Sequence, residues 1–324
     1  MIQPAAGLDP KAVRVITAIA YAPPQPEASQ GHFLDLYVPA EGVRPTPLVI
    51  WLHGSGWMAE NGRDGAEVVA AHLNPHGFAV AGVAIRSSEH AQFPAQLYDV
   101  KAAIRWLRAH AAEYHLDPAH FGIMGESSGG WTAAMAALTG DLPALEGDVG
   151  LLGPPSRVQA AVPFYPPTDF LQMDAHMLED CIPFNQMAGL TQCHADPRSP
   201  ESLLLGCPIA DCPEVVQRAN PVTYVSQAAP PFLIVHGQQD LLVPAHQSEL
   251  LYAALNGMGA EVTLVLLPNG GHGQWSEYLV DPAVNLGAVA RSSLWGRGEE
   301  ARSVPLSWTT IIDFFEQHLR GEQP

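Results

Sequence analysis

The chain has 324 residues, of which 47% are hydrophobic, enough for one large domain with a substantial core. Acidic residues outnumber basic ones 33 to 15, a formal charge of -18, which argues against nucleic acid or an anionic membrane surface as a partner. No stretch approaches the roughly 20 apolar residues of a membrane span. Residues 1–7 have neither the basic start nor the apolar run of a secretory signal, so a cytoplasmic location is expected unless a leader has been removed.

From the N-terminus, residues 13–21 and 33–38 read as strands separated by the turn Pro23-Pro24-Gln25-Pro26. In the second, His32, Leu34, Leu36 and Val38 alternate with Phe33, Asp35 and Tyr37. Pro45 and Pro47 introduce Leu48-Val49-Ile50-Trp51-Leu52, a continuous apolar run of the kind found in strands buried on both faces. It runs directly into His53-Gly54-Ser55-Gly56-Trp57. A helix over 64–73 and a second buried strand over 78–85 follow. Pro94 opens a helix to about residue 115, in which Leu97, Val100, Ile104 and Leu107 form one apolar stripe, with Asp99 on the opposite face in a structural role. Asp117-Pro118 ends that helix before a strand over 121–124. Further strands are expected over 158–164, 231–236 and 262–267, with helices over 247–256 and 307–319. This alternation predicts a mostly parallel sheet with helices on both faces, an α/β fold filling the whole chain as a single domain.

Two regions break the pattern. Residues 166–224 are rich in proline and contain Cys181, Cys193, Cys207 and Cys212; they read as an insertion over the sheet, a cap or lid. Four cysteines allow three pairings, and local disulfides stapling an irregular loop are the preferred reading over four reduced thiols. A structural zinc site is a poor fit, since no Cys-x-x-Cys occurs, although His194 adjoins Cys193. Residues 277–305 read as a second surface excursion.

The chemistry concentrates at Gly125-Glu126-Ser127-Ser128-Gly129, where a short apolar strand meets a helix beginning near Trp131. A serine between two glycines suits a sharp strand-to-helix turn, because Gly125 and Gly129 lack the Cβ atoms that would collide there. Ser127 would then stand at a helix N-terminus, where free N–H groups favour developing negative charge. A serine hydroxyl needs a base, and the base needs an orienting carboxylate. Asp240 and His272 each lie just past the C-terminal end of an expected strand, so all three converge on one edge of a parallel sheet. Of the 14 histidines, others such as His72, His76, His110 and His115 read as surface or packing residues.

With Ser, Asp and His in that chain order, the sequence resembles the α/β-hydrolase superfamily, in its esterase/lipase branch with a His-Gly-Gly-Gly-Trp-type oxyanion loop. The resemblance runs from the strand before His53 to the last helix. It implies Ser127 as nucleophile, His272 as base and Asp240 as its orienting acid. It also implies an oxyanion hole from the N–H groups of Ser55, Gly56 and Ser128, with Ser55 standing where a third glycine is commoner. Trp57, Trp131 and Trp275 adjoin these motifs and, with Glu126 and Tyr165, are candidate substrate-binding residues. Phe164, Phe170 and Phe184 would add apolar surface from the insertion. The expected activity is hydrolysis of small carboxylic esters, short-chain or aromatic of the acetyl or feruloyl kind, through an acyl-enzyme and without metal or organic cofactor. A prolyl-oligopeptidase-type peptidase would need a propeller domain for which the chain has no room. A lipase lacks an evident amphipathic lid, and an inactive binding module would normally have lost the serine or histidine.

Overall fold

A computed structural model describes residues 12–40, 44–140, 142–294, 297–298 and 301–320. Nine principal strands are β1 (Val13–Ala20), β2 (Phe33–Pro39), β3 (Thr46–Leu52), β4 (Ala79–Val83), β5 (Leu116–Glu126), β6 (Ala160–Phe164), β7 (Phe232–Gly237), β8 (Val262–Leu267) and β9 (Val289–Leu294). They lie side by side in the order β1-β2-β4-β3-β5-β6-β7-β8-β9, with the short strands Arg297–Gly298 and Arg302–Ser303 pairing to β9. The ladder is parallel from β4 through β8 and antiparallel at both edges. From β3 the chain steps to β4 on one side and to β5 on the other, so the strand order reverses between β3 and β5. The carboxyl ends of those two strands flank the crevice where ligands gather in such sheets.

Strand parity explains the apolar runs. Leu48, Ile50 and Leu52 of β3 join a core on one face, packed under α2 (Ala95–Ala109), α3 (Ser128–Thr139) and α7 (His246–Gly257). Val49 and Trp51 join a second core on the other face, under α1 (Ala66–Leu73) and the C-terminal helix (Trp308–Leu319). Asp99 does point away from the α2 stripe, but it is fully buried there: its carboxylate accepts from Arg86 Nε and Arg86 N–H, with His32 Nε2 at 3.1 Å.

Two expectations differ from the structure. The helix opened by Pro94 stops at Ala109, not near 115, and strand β5 has already begun at Leu116. Asp117-Pro118 therefore lies inside an extended segment; proline supplies no N–H, and the pairing with β3 jumps from Leu116 to Phe121. The excursion over 277–305 contributes β9, which closes the edge of the sheet against β8. The insertion is stapled by local disulfides, as expected. It contains α4 (Ile182–Ala188), α5 (Pro200–Leu205) and α6 (Pro213–Ala219), with disulfides Cys181–Cys193 and Cys207–Cys212. Around the first disulfide, Phe184 and Leu190 form a small apolar cluster of their own. Thiol titration of the unfolded, unreduced protein should find no free cysteine, and reduction should release all four; thiols detected before reduction would contradict this pairing.

Candidate active site

Strand β5 ends at Glu126, and α3 begins at Ser128. Ser127 between them has φ 54° and ψ -124°, a left-handed conformation rare for a residue with a side chain. It is held by its own N–H donating to the Phe164 carbonyl and its carbonyl accepting from Trp131 N–H. The turn exists because α3 presses on β3: a Cβ built on Gly129 would lie 2.2 Å from the Leu52 carbonyl oxygen, and one on Gly125 would lie 2.4 Å from the Gly129 oxygen. The Ser127 hydroxyl consequently stands clear of both elements.

His272 comes from the loop after β8 and Asp240 from the loop after β7. His272 Nε2 lies 2.9 Å from Ser127 Oγ, and Nδ1 lies 2.8 Å from Asp240 Oδ2. The ionised carboxylate only accepts, so Nδ1 carries the hydrogen and Nε2 presents its lone pair to the serine hydroxyl. Asp240 is fully buried; its other oxygen accepts from the N–H groups of Leu242 and Val243. Burial pushes its pKa up, but His272 and His236 more than offset that, and it stays well below the usual carboxylate range. Burial pulls the His272 pKa down while the Asp240 charge raises it further, leaving it above an ordinary histidine.

His236, at the end of β7, is a residue the sequence reading passed over. It is fully buried, its Nε2 lies 2.9 Å from the Val243 carbonyl and 3.4 Å from Asp240 Oδ2, and its Nδ1 lies 2.7 Å from Ser248 Oγ. It braces the acid loop from beneath. The only sequence signal is its place in His236-Gly237-Gln238-Gln239-Asp240, four residues before the acid.

The loop after β3 faces the serine. Glu126 Oε1 accepts from Gly54 N–H at 2.5 Å and lies 3.3 Å from His53 Nδ1, so this buried carboxylate fixes the loop beside Ser127. Ser55 N–H donates to Ser128 Oγ at 2.9 Å. Of the three expected oxyanion donors, that one is already engaged. The N–H groups of Gly56 and Ser128 meet no acceptor among the described residues.

A cavity of about 890 Å³ opens over Ser127 and His272. Of the candidate substrate residues, Trp57, Glu126 and Trp275 line it, and Phe184 joins them from α4. Trp131 does not: it is fully buried against Trp57, with its indole N–H donated to the Ala219 carbonyl. Tyr165 lies behind the site, its ring 4.7 Å from that of His272. Phe164 and Phe170 are buried in the two sheet-face cores, because β6 and the turn after it point them inward.

The acid and histidine loops meet through a glycine. A Cβ on Gly237 would lie 2.3 Å from both the Gly270 carbonyl oxygen and the Tyr278 hydroxyl. Gly237→Ala should push the two loops apart, lower stability by about 1–3 kcal/mol, and lengthen the Asp240–His272 hydrogen bond. Urea unfolding and the histidine proton resonances would show both effects; an unchanged unfolding midpoint would count against this packing.

Residues 34–255 match the BD-FAE family. Among curated proteins the chain is similar to "Esterase LipQ" of Mycobacterium tuberculosis, 31% identical over 78% of this chain and 53% of that protein. The chain thus spans about half the length of that relative. Among solved structures it is similar to "Truncated form of carbohydrate esterase from gut microbiota", 32% identical with a TM-score of 0.70 over 82% of this chain and 92% of the other. It is also similar to "Bifunctional GH43-CE" of Bacteroides eggerthii, 32% identical with a TM-score of 0.73 over 94% of this chain and 38% of the other. With that match spanning the sheet from β2 to α7, the chain belongs to the BD-FAE family, α/β-hydrolases of esterase type.

Proposed function

We propose that the protein is a serine carboxylic-ester hydrolase. One observation carries this reading: an unbroken hydrogen-bonded line from Ser127 through His272 to buried Asp240, facing an open cavity. Ser127 Oγ attacks the ester carbonyl as His272 Nε2 takes its proton. The oxyanion forms beside the N–H groups of Gly56 and Ser128, and preorganised donors of this kind are worth about 2.7–4 kcal/mol each in the transition state. His272 then gives the proton to the leaving alkoxide, and the alcohol departs. Water repeats the sequence on the acyl-enzyme and releases the acid. Asp240 holds the imidazole in the required tautomer throughout. The esterase names of the relatives support this class of reaction, and the carbohydrate-esterase names among similar structures support a small ester with a sugar or other hydroxylated alcohol. Acetyl and feruloyl-type esters fit the aromatic wall of Trp57, Phe184 and Trp275.

A p-nitrophenyl ester series from acetate to palmitate should be cleaved at its short end, and Ser127→Ala should abolish turnover on every member. Residual wild-type-like activity in that variant would refute Ser127 as nucleophile. The rate should also depend on pH in a defined direction. Only neutral His272 accepts the serine proton, and its pKa is raised, so kcat/KM should climb through a limb lying above the ordinary histidine pKa of about 6.5. Asp240→Asn should lower the rate by about 10⁴-fold and shift that limb to lower pH; an unmoved limb would place the titration elsewhere.

A further inference from the structure

The cavity also holds a buried ion pair that acyl transfer does not use. Glu201 of α5 is 3% exposed, His194 in the turn after the Cys181–Cys193 disulfide is 1% exposed, and both line the cavity. His194 Nε2 lies 3.0 Å from the Leu242 carbonyl oxygen, and Nδ1 lies 2.9 Å from Glu201 Oε2. A carbonyl and an ionised carboxylate can only accept, so both ring nitrogens carry hydrogens and the imidazole is a cation. Burial pulls its pKa down, the Glu201 charge and hydrogen bond pull it up more strongly, and the balance is a raised value. Phe184 stacks on the ring at 4.2 Å, and the Asp174 carboxylate accepts from the backbone N–H groups of His194 and Ala195. The pair is fixed from every side except one.

That side is Glu201 Oε1. Among the described residues no donor reaches it, and Glu201 is part of the cavity wall. A carboxylate oxygen held in so confined a place is a strong acceptor for an O–H group. The rest of the wall sharpens the choice. No lysine or arginine among the described residues lines the cavity, whereas Glu126, Glu201 and Glu277 do. A negatively charged ester would be repelled; a neutral one bearing a hydroxyl would not.

We propose that Glu201 is a specificity-determining residue whose Oε1 accepts a hydrogen bond from a hydroxyl group on a neutral ester substrate, while His194 holds the carboxylate in position. The hydroxyl comes either from a polyol or sugar alcohol or from a phenolic acyl group. The inference rests on the ester-hydrolase reading above, adds to it the residue that reads the hydroxyl, and can fail separately from it.

The test uses two substrate pairs that differ in hydroxyl content. Methyl 4-coumarate against methyl cinnamate reports a phenolic acyl group, and glycerol monoacetate against propyl acetate reports a polyol alcohol. For each pair the ratio of kcat/KM is measured in wild type, Glu201→Gln and Glu201→Ala. In the glutamine variant the amide oxygen accepts the hydrogen bond from His194 Nδ1, and an NH₂ donor replaces the other carboxylate oxygen. The ratio does not depend on how much of a variant is folded, because both substrates compete for the same active fraction. Wild type should favour the hydroxylated member of at least one pair by about ten- to hundredfold, as a hydrogen bond to a charged acceptor allows. The favoured pair identifies which end of the ester is read. Both variants should bring that ratio to within about threefold of unity. Equal wild-type rates within both pairs would overturn the proposal without any variant, and so would a preference that survives in either folded variant. A wild type inert toward all four esters would instead overturn the hydrolase reading itself, and this inference with it.

Discussion

The contact between the Gly129 backbone and the Leu52 carbonyl oxygen governs the arrangement of the site. It lets α3 approach β3 more closely than any side chain would permit, and the chain at Ser127 can make the turn only with a positive φ. The strain is small beside the two cores that impose it, each packed on one face of the sheet. The result is a hydroxyl projected at the carboxyl edge, next to the loop that follows β3. Reversal of strand order at that same place leaves room for a cavity rather than another crossover.

The same economy of space recurs on the histidine side. Asp240 is removed from water, which by itself would favour its neutral form. Two main-chain N–H groups, His272 and the underlying His236 keep it ionised and immobile. An anion so surrounded stabilises an imidazolium beside it without reorganising, which is what the proposed proton transfer from the serine demands. The contact of Gly237 with Gly270 keeps the two loops at the separation this requires.

The disulfide-stapled insertion meets the acid loop at Leu242. Leu242 donates its N–H to Asp240, and its carbonyl accepts a hydrogen bond from His194 Nε2. The wall of the cavity and the acid loop therefore share a peptide segment, and His194 is a link between them as well as a partner for Glu201. A buried polar pair is costly unless every member is satisfied; here one carboxylate oxygen of Glu201 has no donor among the described residues.

How far the sequence alone reached follows from what periodicity encodes. The run Leu48–Leu52 could be read as a doubly buried strand because every residue in it is apolar, and the glycines around Ser127 marked a tight turn because little else can occupy one. Strand ends followed by His53, Ser127, Asp240 and His272 place those residues on one edge of a parallel sheet. The sequence did not tell Trp57 from Trp131, since both adjoin a motif; α3 turns Trp131 into the core, while the loop after β3 brings Trp57 to the cavity. Nor did it show that Ser55 N–H is taken by Ser128 Oγ, a contact across 73 residues. The His194–Glu201 pair lies in a proline-rich segment with no repeat to read, and its meaning depends on a carbonyl from the acid loop. Local pattern determined the elements and their order; the pairing of polar groups between loops was decided only by tertiary packing, because such bonds have no periodicity along the chain.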